Sequence, residues 1–138
     1  MNYSKIMGIK LLLTFAIITQ SCVDRSVTSS FIITNNSNED VHVLGSNGYL
    51  DMLVRANSQE KFEFESSTGN LGEEVVLGYA TWVKLSFLDG KEAIFEEDSI
   101  YEGVSNIKYY QQWESDYSNS SNLLYEYEIT NAHYNLAK

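Results

Sequence analysis

Hydrophobic and polar positions alternate along much of the chain with a period of two, the repeat of a strand that buries one face. In Glu60-Lys61-Phe62-Glu63-Phe64-Glu65 both phenylalanines fall on one side, and Lys61, Glu63 and Glu65 on the other. Trp82 to Leu88 and Lys91 to Phe95 repeat the pattern around Asp89-Gly90, with Val83, Leu85 and Phe87 on one face and Lys84 and Ser86 opposite. Asp-Gly between two apolar runs predicts a type I′ hairpin turn, because both central residues of that turn take positive φ. Phe31 to Thr34 and Val41 to Leu44 flank the turn-rich stretch Asn35 to Asp40, which reads as another hairpin. Leu50 to Arg55 and Val75 to Tyr79 are read as further strands, and Leu123 to Thr130 alternates as the last.

Residues 66 to 74 read as loop, Ser105 is placed to cap a short helical turn through Gln112, and Glu114 to Asn122 is polar loop. Asn131 sits like an N-cap for a final turn, Ala132 to Ala137. No helical period persists over 12 residues and no segment repeats another. Seven or eight short strands separated by turn signals imply an all-β fold: an antiparallel β-sandwich, immunoglobulin-like, with a short C-terminal helical turn.

Composition agrees and narrows the partners. A chain of 138 residues, 43% hydrophobic and 13% aromatic, holds one packed core. Nineteen acidic residues against nine basic ones give a net charge of -10, which excludes a grip on nucleic-acid phosphates built from Lys and Arg. The single cysteine, Cys22, excludes an internal disulfide and a cysteine metal cluster.

Cys22 follows a distinctive start. Lys5 and Lys10 precede the apolar run Leu11 to Thr19, and Ser21 stands directly before the cysteine, the pattern of a signal peptide. The run is about half the roughly 20 residues that a membrane-spanning helix needs. Residues 1 to 22 resemble a bacterial lipoprotein signal, with Thr19 and Gln20 departing from the usual pattern as similar lipoproteins of the Bacteroidetes do. The resemblance implies a diacylglyceryl group on Cys22 and cleavage before it. It divides the chain into a signal peptide (1–21), a lipidated N-terminus and tether (22–30) and a β-sandwich domain (31–138). Two or three acyl chains anchor almost permanently, since each buried CH₂ contributes about 0.8 kcal/mol. The mature chain of 117 residues would carry 7 basic and 19 acidic residues, net -12, so lipid and not charge would hold it to the membrane. Ordinary secretion with a free thiol is the alternative. Asp24 followed by Arg25 is a poor match to a surface-export signal, which leaves both the periplasmic face and the cell surface open for an outer-membrane lipoprotein. The end of the chain, Tyr125-Glu126-Tyr127-Glu128-Ile129-Thr130 with Asn131, His133-Tyr134 and Ala137, together with Asp89-Gly90, also resembles small Bacteroidetes lipoproteins of unassigned role. That resemblance implies a fold and a location and brings no activity.

Catalytic chemistry is thinly supplied. The histidines are His42 and His133, and no Gly-x-Ser-x-Gly elbow occurs, so no catalytic residues are assigned. His42, between Val41 and Val43, is expected on the solvent side; His133 is expected to cap the last turn or face solvent. No zinc pattern is present. Asp116, Ser118, Ser120 and Asn122 alternate oxygen side chains as a calcium loop does, but Tyr127 stands where the bidentate Glu belongs, and a polar turn is the preferred reading. Neither metal nor cofactor is expected. The aromatic group Tyr109, Tyr110, Trp113 and Tyr117 is the candidate ligand-binding set, because rings with a polar handle stack on sugars and anchor interfaces. The expected function is that of a membrane-anchored, non-enzymatic module binding a glycan or protein partner. The alternative is an acidic immunity or inhibitor lipoprotein that neutralises a basic toxin or enzyme.

Overall fold

The computed structural model describes residues 26–67, 71–97, 99–119 and 121–138, with only the backbone at residue 110. The expected signal peptide (1–21) and Cys22 lie outside them. Eight strands form: β1 (Val27–Asn36), β2 (Val41–Gly45), β3 (Asp51–Val54), β4 (Ser58–Ser66), β5 (Trp82–Phe87), β6 (Glu92–Glu96), β7 (Glu114–Asn119) and β8 (Asn122–Thr130). One short helix, α1 (Asn131–Leu136), follows. The strands make two four-stranded sheets, β4-β1-β8-β7 and β3-β2-β5-β6, packed face to face as an all-β sandwich. Every pairing is antiparallel except β1 with β8, which is parallel, so the sheet is not purely antiparallel as the pattern suggested.

The core lies between the sheets. Phe31, Ile33, Leu123, Tyr125, Tyr127 and Ile129 meet Val41, Val43, Val54, Val83, Leu85, Phe87 and Phe95, all buried. Phe62 and Phe64 share one face of β4, as the alternation requires, and are half-buried against this core.

Several expectations are corrected. Phe31–Thr34 and Val41–Leu44 do not pair as a hairpin; the chain crosses from one sheet to the other between them. The crossing is organised by Asn35, which is fully buried. Its Nδ2 donates to the carbonyls of Glu39 (2.8 Å) and Val54 (3.0 Å), and its Oδ1 accepts from the Ser37 amide (3.0 Å). β1 begins at Val27, so residues 27–30 of the expected tether are strand and Ser29 is buried. Val75–Tyr79 is not a strand: Glu74–Gly78 forms a π-helical turn that buries Val76 and Leu77. Its carbonyls at Val75 and Val76 each accept from Asn47 Nδ2 at 3.0 Å. Glu114–Asn119 is the edge strand β7 and not a loop. The β5–β6 hairpin is present, but Gly90 alone takes positive φ (95°), and its amide donates to Phe87 O at 2.9 Å. The loop is therefore a type I turn closed by a left-handed glycine in place of type I′. The helix cap is Thr130, one residue before the expected Asn131.

Candidate functional site

Strand register decides which side chains meet on the outer face of β4-β1-β8-β7, because directly paired residues point the same way. Ser30 pairs with Glu63 and with Leu124, and Leu124 with Asp116; Thr28 pairs with Glu65; Ile32 pairs with Lys61 and Glu126, and Glu126 with Glu114. Glu128 follows one step on, opposite Thr34. Six carboxylates, from Glu63, Glu65, Glu114, Asp116, Glu126 and Glu128, thus share a solvent-facing surface with, among the described residues, a single cation, Lys61. Lys61 is spent on Glu63 at 2.7 Å. That contact holds the Glu63 carboxyl below the usual carboxylate range, through the hydrogen bond first and the charge second. Asp116 is also held low, by the Ser118 amide that donates to it at 2.8 Å and then by the Ser118 side chain.

At the end of this face a polar cleft of about 440 Å³ opens between the sheet and the loop Gly103–Gln112. Thr34, Asn36, Glu114, Glu126, Glu128 and Thr130 form its sheet side, and Gly103, Ser105 and Gln112 its loop side. Asn36 Nδ2 donates to Glu128 Oε1 at 2.6 Å and fixes that carboxylate. Tyr127 and His133, both buried, form the floor. Acceptors outnumber cations in the cleft, so its chemistry suits ammonium, guanidinium or hydroxyl donors.

Among the described side chains of the aromatic set, Tyr109, Trp113 and Tyr117 stand in three different settings. Trp113 is 4% exposed and belongs to the core: Nε1 donates to the Ile107 carbonyl at 2.8 Å, and its ring meets Phe31 edge-on and Tyr127 at a tilt. A ring so enclosed offers no face to a sugar, which removes it from the candidate ligand set. Tyr109 is half-buried beside a second, smaller cleft with Tyr101, Asn106 and Gln112, whereas Tyr117 is exposed on β7 with its ring edge-on to Tyr125. The side chain of Tyr110, like Cys22, lies outside the described residues.

His42 is on the solvent face, as the alternation predicts, with Nε2 2.6 Å from Asp51 Oδ1. His133 does cap α1, through Nδ1 to the Thr130 amide at 3.1 Å, but it is buried and not solvent-facing. Glu97, itself exposed, is the counter-ion of the buried Lys108 at 3.2 Å. Among the described residues no three His, Cys, Asp or Glu side chains are placed to hold a metal ion, and no helix is long and apolar enough to cross a membrane.

Sequence reasoning missed the acidic face as a unit. The alternating acids of Glu63-x-Glu65 and Glu126-x-Glu128 were visible, but nothing local says that β4 and β8 flank the same strand. Compared with known proteins, the chain matches no protein family, no curated protein and no solved structure.

Proposed function

We propose that this chain is a lipid-tethered module of the bacterial cell envelope that binds a basic protein partner without turnover. The observation that carries the reading is the outer face of β4-β1-β8-β7, where, among the described residues, six carboxylates stand against one already-paired lysine. A single-sign surface of this kind speeds encounter with a partner of opposite charge and sets its orientation, and its effect fades as salt is added. The loss of Trp113 to the core weighs against an aromatic sugar platform and favours the protein partner, in keeping with an immunity or inhibitor role.

The lipid anchor fits the fold. Four residues, 23 to 26, separate Cys22 from the start of β1. With Cys22 acylated they hold Val27 within about 17 Å of the bilayer. The Thr34 and Asn36 end of the same strand, with the cleft, lies about 30 Å further along and is free to face a partner.

Cross-linking in the native cell, with identification of the captured protein, tests the reading. A basic protein is expected, whose association slows steeply with salt and with Glu114→Lys or Glu126→Lys. A partner whose binding ignores both, or turnover on a panel of glycans and peptides, overturns it. In parallel, Cys22→Ser is expected to leave the detergent phase that retains the parent chain.

A further inference from the structure

His133 is 2% exposed, and both of its ring nitrogens are engaged. The Thr130 amide donates to Nδ1 at 3.1 Å, so Nδ1 bears no hydrogen and the neutral ring carries its proton on Nε2. Nε2 then donates to the Tyr127 hydroxyl at 2.7 Å, and that hydroxyl donates onward to the Ser105 carbonyl at 2.5 Å. The Ser105 hydroxyl returns a bond to Tyr127 Oη at 3.1 Å. This directional relay joins α1, β8 and the Gly103–Gln112 loop, the three elements that meet around the cleft.

We propose that His133 is a proton-operated latch, whose protonation releases the start of α1 from the end of β8 and so widens the cleft on that side, while the Nε2–H bond to Tyr127 keeps the Ser105 loop in place. A second proton has only Nδ1 to occupy. There it faces the Thr130 amide, donor against donor, and breaks one half of the capping box that starts α1. Thr130 Oγ1, also 3.1 Å from Nδ1, can accept the new N–H beside the Ala132 amide, but the Thr130 amide is left without its acceptor. The other end of the tail stays fixed, because Lys138 exchanges both backbone bonds with Glu92 at 3.0 and 3.1 Å. The movement is therefore a local hinge and not the loss of a strand.

The surroundings set the direction of the response. From β8 the groups facing the ring are Tyr127 and the Glu128 carboxylate; from the loop, the Ser105 carbonyl and hydroxyl; from β6, the Phe95 ring at 6.0 Å. Burial disfavours the charged imidazole and lowers its pKa, while the Ser105 carbonyl and Glu128 oppose this. With the folded value depressed, the closed state is fully favoured above the ordinary histidine value of about 6.5, and the advantage is lost as pH falls below it. The latch is a property of the fold and stands whether or not the acidic face takes a basic partner.

The test is nitrogen NMR and amide exchange on the full chain in a neutral detergent, without any partner. At about pH 7.5 the His133 nitrogens are expected to report the Nε2–H tautomer, with a titration midpoint below 6.5. On lowering the pH to about 5.5, protection corrected for intrinsic exchange is expected to fall about tenfold or more at Thr130, and by less than about twofold at Tyr109, Val43 and Leu85. His133→Gln keeps an acceptor for the Thr130 amide but carries no titrating ring, and its Thr130 protection is expected to be flat across the same range. An Nδ1–H tautomer in the parent, uniform loss of protection, or an unchanged transition in His133→Gln overturns the proposal. Should the variant fail to fold, the tautomer and the site-resolved exchange of the parent decide alone.

Discussion

Phe31 stacks on Tyr125 across the parallel pairing of β1 with β8, the ring centroids 5.0 Å apart and the planes within 18° of parallel. Phe62 stacks on the other side of Phe31 at 4.8 Å, so three adjacent strands are joined by one ladder of rings, and Trp113 closes it edge-on. Parallel neighbours are the weaker kind of sheet pairing, and a cross-strand aromatic ladder compensates by adding contact beyond simple burial. Phe31→Ala empties a fully buried site at the centre of this ladder. A loss of about 3–5 kcal/mol is expected in urea unfolding, a large share of the stability of a domain this size. A loss under about 1 kcal/mol would place the ladder outside the cooperative core.

Trp113 has the same role on the loop side. Trp113→Ala is expected to cost about 3–5 kcal/mol and to broaden the spectrum of the whole domain, contrary to what a surface binding residue would do. Trp113→Phe keeps most of the ring and removes the donor to the buried Ile107 carbonyl, for an expected cost of about 1–3 kcal/mol. Both are read as shifts of the denaturation midpoint at constant slope.

How much of this was written in the sequence depends on the range of the information. The β5–β6 hairpin was legible because Val83, Leu85 and Phe87 alternate beside their own partner strand. The β1–β2 hairpin was misread because an apolar run states that it is buried but not which strand covers it, and the turn-like Asn35 proved to be a buried bracket between the sheets. Val75–Tyr79 shows the ambiguity of a five-residue apolar run, which suits a strand or a tight helical turn equally. β7 gave no signal at all: Glu114–Asn119 is exposed along its whole length, so it carries no alternation. The acidic face required the β4-β1-β8-β7 order, which is tertiary information, whereas the relay through His133 had a faint local sign in Thr130-x-x-His133, spaced as a capping box with His in place of Glu.

Two tyrosines make an alkaline prediction. Burial, and then the hydrogen bond to the Glu73 carboxylate, raises Tyr125 far above the ordinary phenol value; burial raises Tyr127 despite the Ser105 bond that lowers it. Because the folded values lie above the unfolded value of about 10, these groups favour the fold fully below pH 10 and cease to do so as pH rises past it. Difference titration of the parent against Tyr127→Phe, followed by phenolate absorbance, is expected to show Tyr127 ionising only together with the loss of the β-sheet circular dichroism signal. Ionisation with the fold intact would mean that the relay floor is open to water.

The sharpest test of the acidic face sets stability against binding at one position. Glu114 and Glu126 are direct cross-strand partners of like charge, an arrangement that weakens the β7–β8 edge. Glu126→Lys turns repulsion into attraction, and the domain is expected to gain a few tenths of a kcal/mol, the discount for solvent screening included. The same change removes two charges' worth of attraction toward a basic partner, so association is expected to slow markedly at low salt and to lose part of its salt dependence. A residue kept for structure alone moves both measurements in the same direction. Opposite signs, higher unfolding midpoint with slower capture, are the outcome that the proposed interface requires, and a variant that is both less stable and equally fast in capture would count against it.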